Sequence, residues 1–122
     1  MSFRRRAGHQ CMDVQLIKRS RLPGHEFAGA DYGGAGVCVI FTDLPPGGGP
    51  ALHKHPYEEV FVMLEGQATF VVDGDTIAAG ADDIVIVPPD TPHGFTNSGA
   101  GPLRQVNIHV SPTFETEWLE SA

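Results

Sequence analysis

The chain has 122 residues, room for one domain, and 41% of them are apolar, enough for a single packed core. Fifteen acidic against eight basic side chains give a formal charge of −7, and three of the basic ones form the run Arg4, Arg5, Arg6, so the remainder is more acidic still. No basic face is visible that could displace counterions from nucleic acid. No unbroken apolar run exceeds five residues (as at 60–64), far short of a membrane span, so nucleic acid and membrane drop out as partners.

Residues 1–11 differ from the rest: an Arg run with no apolar segment behind it. They read as a disordered arm or an upstream start, carry no secretory signal, and leave 12–122 as a single domain with a cytoplasmic location expected. Cys11 and Cys38 are too few for a disulfide framework. Cys38 lies in an apolar stretch and is expected as a small buried hydrophobe. Short β-type runs then follow in order. Residues 14–18 can open the fold, and 36–41 form an apolar, β-branched run before a Pro/Gly-dense loop at 44–50. Residues 59–64 and 67–72 are separated only by Glu65-Gly66, and the second run stops at Asp73-Gly74, a hairpin turn signal. Residues 76–79, 84–87 and 103–110 complete the set. The nearly continuous apolar character of 60–64 and 84–87 suggests burial on both faces. With 15 glycines and 10 prolines and no long 3.6-residue periodicity, this is an all-β sandwich or barrel. A short C-terminal helix is expected, capped by Ser111 with Pro112 at its first position and Phe114, Trp118 and Leu119 on one face.

The chemistry concentrates between Gly47 and Glu59. Side chains two apart on a strand share a face, so His53 and His55 can converge on one point. Pro56 ends that strand, and an antiparallel return starting at Glu59 can bring a carboxylate beside the imidazoles. Neutral imidazole with carboxylate suits a divalent first-row metal. Taken alone the signal is weak, because with six histidines a His-x-His pair arises readily by chance and is usually a wet loop.

A second segment, running from Asp82 through Pro88, Asp90 and His93 to Asn97, changes that. Together the two segments resemble the motifs of the cupin superfamily. The first motif reads Gly, five residues, His-x-His, three or four residues, Glu, six residues, Gly, and is matched by Gly47, His53, His55, Glu59 and Gly66. The second, Gly, five residues, Pro-x-Gly, two residues, His, three residues, Asn, is matched by Pro88, His93 and Asn97. Asp82 and Asp90 stand where it has glycine, which puts the local loop shape in question but not the ligand. The resemblance implies a double-stranded β-helix, or jelly roll, of two facing antiparallel sheets. It also implies one divalent transition metal per chain (Mn, Fe, Ni, Cu or Zn) held by His53, His55, Glu59 and His93. Four protein ligands would leave about two octahedral positions for water or substrate.

Other residues carry weaker readings. If the aliphatics of the last strand pack outward, His109 and Asn107 line the pocket, and His109 is the candidate for moving protons. Phe61, Met63, Phe70 and Phe95 are candidates for the pocket wall, although aromatics in a small barrel are most often core. Glu58 faces away from Glu59 and reads as solvated, Asn97 as a turn residue, and His25 as a surface loop residue. A metal with three imidazoles and one carboxylate keeps a net charge of about +1 and favours anionic oxygen donors. The functional expectation is a metal-dependent small-molecule enzyme of oxygenase, isomerase, lyase or cyclase type. A non-catalytic ligand-binding or sensing module is the alternative, and a metal-free epimerase barrel a third. A homodimer is expected, because a jelly roll leaves edge strands that a partner can cover.

Overall fold

The computed structural model describes residues 13–120, so the arm expected at 1–11 lies outside the described residues. Ten strands follow in order: β1 (Glu26–Ala28), β2 (Cys38–Leu44), β3 (His53–Lys54), β4 (Glu59–Glu65), β5 (Gln67–Val72), β6 (Asp75–Gly80), β7 (Ile84–Val87), β8 (His93–Asn97), β9 (Leu103–His109) and β10 (Glu117–Trp118). They form two five-stranded sheets, ordered β1-β2-β9-β4-β7 and β10-β3-β8-β5-β6. Every pairing is antiparallel. Such crossed-over order is that of a double-stranded β-helix. Among the described residues, helix is confined to three short 3-10 turns, and no helix is long and apolar enough to cross a membrane.

Two expected elements do not form. Residues 14–18 are irregular, with Val14 and Leu16 exposed, and the first strand is Glu26–Ala28 instead. Nor does the C-terminal helix form. Phe114, Trp118 and Leu119 fit a helical stripe, but Phe114, Thr116 and Trp118 fit a strand's alternation equally well. The open edge of β3 decides between them: β10 pairs with it, Trp118 opposite His53, and Leu119 N–H donates to Leu52 O at 2.9 Å. Tertiary pairing overrides a short local preference here.

The turns follow their residues. Asp73 (φ 50°) and Gly74 (φ 86°) both take the left-handed backbone that the two-residue hairpin between β5 and β6 requires. Gly66 turns β4 into β5 at φ 88°, where a Cβ would stand 2.3 Å from Pro102 O. Asp82 (φ 72°) and Asp90 (φ 58°) also adopt left-handed backbone. Both positions keep the loop shape for which the related motif uses glycine, as Asp can.

The core fills one end of the space between the sheets. Phe61, Met63, Phe70, Phe95 and Leu103 form its centre, with Phe61 and Phe70 packed edge to face at 4.9 Å. Each such side chain contributes roughly 2–3 kcal/mol by leaving water. Toward the other end the inward residues turn polar. Along β9 the inward face reads Leu103, Gln105, Asn107, His109, and along β4 it reads Met63, Phe61, Glu59. That gradient makes one end of the sandwich a core and the other a site. Among the described residues only one face of β7 is covered: Val85 and Val87 are buried, whereas Ile84 and Ile86 are 63% and 60% exposed. The expected burial on both faces is therefore not met by the single chain.

Candidate metal centre

His53 sits on β3 and His93 opens β8, paired directly across the ladder. His55 follows β3, and Glu59 opens β4 on the facing sheet. All four are buried, between 1% and 6% exposed. Their donor atoms lie within 4.8 Å of one another. Strand alternation is the cause: 53, 55, 57 and 59 all point inward while Lys54, Pro56 and Glu58 face out, and alternation persists across Pro56.

The hydrogen bonds of the rings fix what they offer. His53 Nδ1–H donates to Ala51 O (2.7 Å), His55 Nδ1–H to Glu115 O (2.8 Å) and His93 Nδ1–H to Thr91 O (2.8 Å). A carbonyl can only accept, so in each neutral ring the proton is on Nδ1 and the Nε2 lone pair faces the centre. His55 Nε2 and His93 Nε2 both stand 3.1 Å from Glu59 Oε1; the His93 contact has hydrogen-bond alignment and the His55 contact does not. Lone pairs of neutral imidazoles against a carboxylate repel unless a cation stands among them. The four side chains therefore fit a divalent metal on their own geometry. Burial pushes the His53 imidazole below its ordinary pKa, which favours the neutral, ligating form.

His109 has a different role in the arrangement. It lies opposite Glu59 across the β4–β9 ladder, with Nε2 3.1 Å from Glu59 Oε2. Its Nδ1 faces Tyr57 Oη at 2.6 Å rather than a carbonyl, and Tyr57 Oη itself accepts from Glu115 N–H. Burial pushes the Tyr57 phenol up to about 12, so it stays protonated and can donate to His109 Nδ1. The His109 proton is then on Nε2, toward Glu59, the reverse of the other three rings.

A cavity of about 450 Å³ opens above the centre. Asn107, His109 and Phe95 line it, whereas Phe61, Met63 and Phe70, also considered for the wall, lie in the core because their strand positions are closer to the apolar end. Glu58 is exposed, as is His25 at the end of a 3-10 turn. Asn97 clips a loop: Nδ2 donates to Leu44 O and Gly101 O, and Oδ1 accepts from Gly99 N–H. Several wall residues were not anticipated: Ile40, Thr42 and Leu44 on β2, and Phe114, Thr116 and Trp118 on the C-terminal strap. Tyr57 was also missed, although the alternation from His53 to Glu59 passes through it.

A sequence model of the cupin domain matches residues 40–109. The chain belongs to the cupin family. It is 33% identical over 110 residues to the polyketide synthase CurC of Streptomyces cyaneus, covering 83% of this chain and 68% of that protein. Among solved structures, it resembles an uncharacterized conserved protein with a double-stranded β-helix domain from Klebsiella pneumoniae (TM-score 0.65, 25% identity, 72% of this cupin and 79% of that chain). Bacillus subtilis oxalate decarboxylase, a protein with Mn(II) centres, shares the fold at a TM-score of 0.70 and 24% identity, over 77% of this cupin and 27% of that chain.

Proposed function

We propose that this cupin is a metal-dependent enzyme acting on a small molecule that binds through an anionic oxygen, in a reaction of oxygenase, isomerase, lyase or cyclase type. The observation that carries this reading is the convergence of His53, His55, His93 and the Glu59 carboxylate in a buried site, with Nδ1 of each ring held on a backbone carbonyl so that Nε2 is left for a metal. A divalent ion there supplies Lewis acidity and a net charge of about +1. The chain's own residues do the rest. The carbonyls of Ala51, Thr91 and Glu115 hold the imidazoles in place. His109 steadies the Glu59 carboxylate through Nε2, and the Tyr57 hydroxyl holds a proton at His109 Nδ1, within the wall of the cavity. Apolar walls limit water around the bound molecule.

We also propose that the working unit is a homodimer. Its support is the outer face of the β1-β2-β9-β4-β7 sheet, where two rows of apolar side chains run across four strands. Val39, Ile108, Val60 and Ile86 form one row, and Phe41, Val106, Val62 and Ile84 the other.

The test of the metal reading is elemental analysis of tag-free protein. Near-stoichiometric Fe, Mn, Ni, Cu or Zn is expected, with His53→Ala and His93→Ala each losing most of it while circular dichroism stays that of the folded β-protein. Unchanged metal content in both variants would show that the ligands lie elsewhere. No uptake by the wild type after reconstitution with each ion would leave a ligand-binding module instead.

A further inference from the structure

The composition of the cavity wall narrows what the site accepts. Among the described residues, no lysine or arginine lines it. The nearest candidate by sequence, Lys54, faces away and pairs with Glu117 at 3.4 Å. Apart from the imidazoles, the only ionisable groups at the wall among the described residues are Glu59, in contact with three imidazoles, and Glu26, which is exposed. A small dianion such as oxalate would find one cationic partner, the metal, and meet a second carboxylate at the rim. Any oxygen of it not on the metal would be stripped of water with only the neutral groups of Thr42, Asn107 and Thr116, and no cationic side chain, to compensate.

The remaining wall is apolar and partly aromatic: Ile40, Leu44, Pro50, Phe95, Phe114 and Trp118. Two of these rings stand directly against the ligand cluster. Trp118 packs on His53 with centroids 4.9 Å apart, and Phe114 meets His109 edge to face at 5.1 Å. Both come from the strap that follows β9 and returns to β3, so they form one side of the cavity entrance. A slot with aromatic sides and a volume of about 450 Å³ exceeds what a two-carbon acid needs and is in the range that takes a ring system. Thr42, Asn107 and Thr116 supply neutral polar groups for further oxygens.

We infer that the cavity takes a flat, largely apolar ring system bearing a phenolic or enolic oxygen, gripped by Phe114 and Trp118, and discriminates against small dicarboxylates. This rests on the metal-centre reading for the anchoring of that oxygen, while the grip on the ring body depends on the wall alone.

The experiment is calorimetric titration of the metal-loaded protein with 2,3-dihydroxynaphthalene and, separately, with oxalate, metal content being checked after each. The naphthalene diol is expected to bind at least about tenfold more tightly than oxalate. Phe114→Ala and Trp118→Ala should each weaken it about fivefold while leaving metal content and oxalate affinity unchanged, and Trp118→Phe should restore most of the loss. Oxalate binding as tightly as the diol, or diol affinity indifferent to both alanine variants, would overturn the inference. The two readings fail separately. A protein that takes up no metal but binds the diol in a Phe114- and Trp118-dependent way refutes the metal centre and supports the ring-binding wall. One that holds metal and ignores the diol refutes the wall inference alone.

Discussion

Glu59 is 3% exposed and ringed by His55, His93 and His109. Burial by itself would push its carboxyl up, but in the metal-free protein hydrogen bonds from His109, His55 and His93, with protons on Nε2 where a metal would otherwise stand, outweigh that and hold it well below the usual carboxylate range. A carboxyl lowered in the folded state contributes stability that is fully present above its unfolded value, near 4.3, and is lost as pH falls toward the folded value. Metal-free protein is therefore expected to become steadily less stable as pH drops from about 5. Glu59→Gln should flatten that profile. Thermal melts of both proteins across the acid range check it, and parallel slopes would place the acid sensitivity elsewhere. The ligands were legible as residues because their spacing is strand-periodic and long-range constraints leave them no choice of face. Phe114, Thr116 and Trp118 were not legible as wall, because nothing local distinguishes a strap on β3 from a helical turn. His109 was legible only conditionally: its side depends on where Val106 and Ile108 point, and both point outward.

At the scale of elements, the strands at 67–72 and 84–87 stand where the sequence puts them, since Gly66, Asp73-Gly74 and Pro88 fix their ends. The irregular stretch at 14–18 shows the opposite case: alternation without a neighbouring strand to pair with makes no sheet. The loops before β7 and β8 are more instructive. Asp82 and Asp90 occupy left-handed backbone at φ 72° and 58°, and Asp90 N–H donates to His55 O at 2.7 Å, tying the second loop to the metal-binding segment. Replacing Asp90 by Ala should cost about 1 kcal/mol, because a Cβ without a compensating polar side chain is strained there. Asp90→Gly should be close to neutral, its backbone freedom offsetting its larger unfolded-state entropy. Denaturant unfolding of the two variants checks the order. An Ala variant as stable as the Gly one would show that the loop relaxes to another conformation.

For the whole molecule, the division of labour is between faces. The inner faces of the two sheets hold core and site, while the outer face of the β1-β2-β9-β4-β7 sheet presents its eight-residue apolar block with no charge inside it. The β2 end of that block is partly covered from within, where the Arg19 guanidinium lies 4.3 Å from the centroid of Phe41. The β7 end, at Ile84 and Ile86, is bare. A two-fold partner laid on this end would bury like against like, which is why the proposed homodimer is placed here. Light scattering at micromolar concentration should give twice the chain mass, and Ile84→Lys with Ile86→Lys should give the monomer with its fold intact. A wild-type monomer would refute the assignment.

The strap has a further consequence for how such a site can change over generations. The four candidate ligands belong to residues 53–93, whereas one side of the cavity belongs to 114–118. At the His55 ring the two stretches are joined through the backbone carbonyl of Glu115, with the Thr116 hydroxyl beside it at 3.2 Å from Nδ1. The shorter of these bonds is main chain, so the strap's side chains can change while the Glu115 carbonyl keeps the imidazole oriented. New molecules can be admitted by rewriting a handful of codons far from those of the candidate ligands, and the chemistry proposed for them need not be reinvented each time.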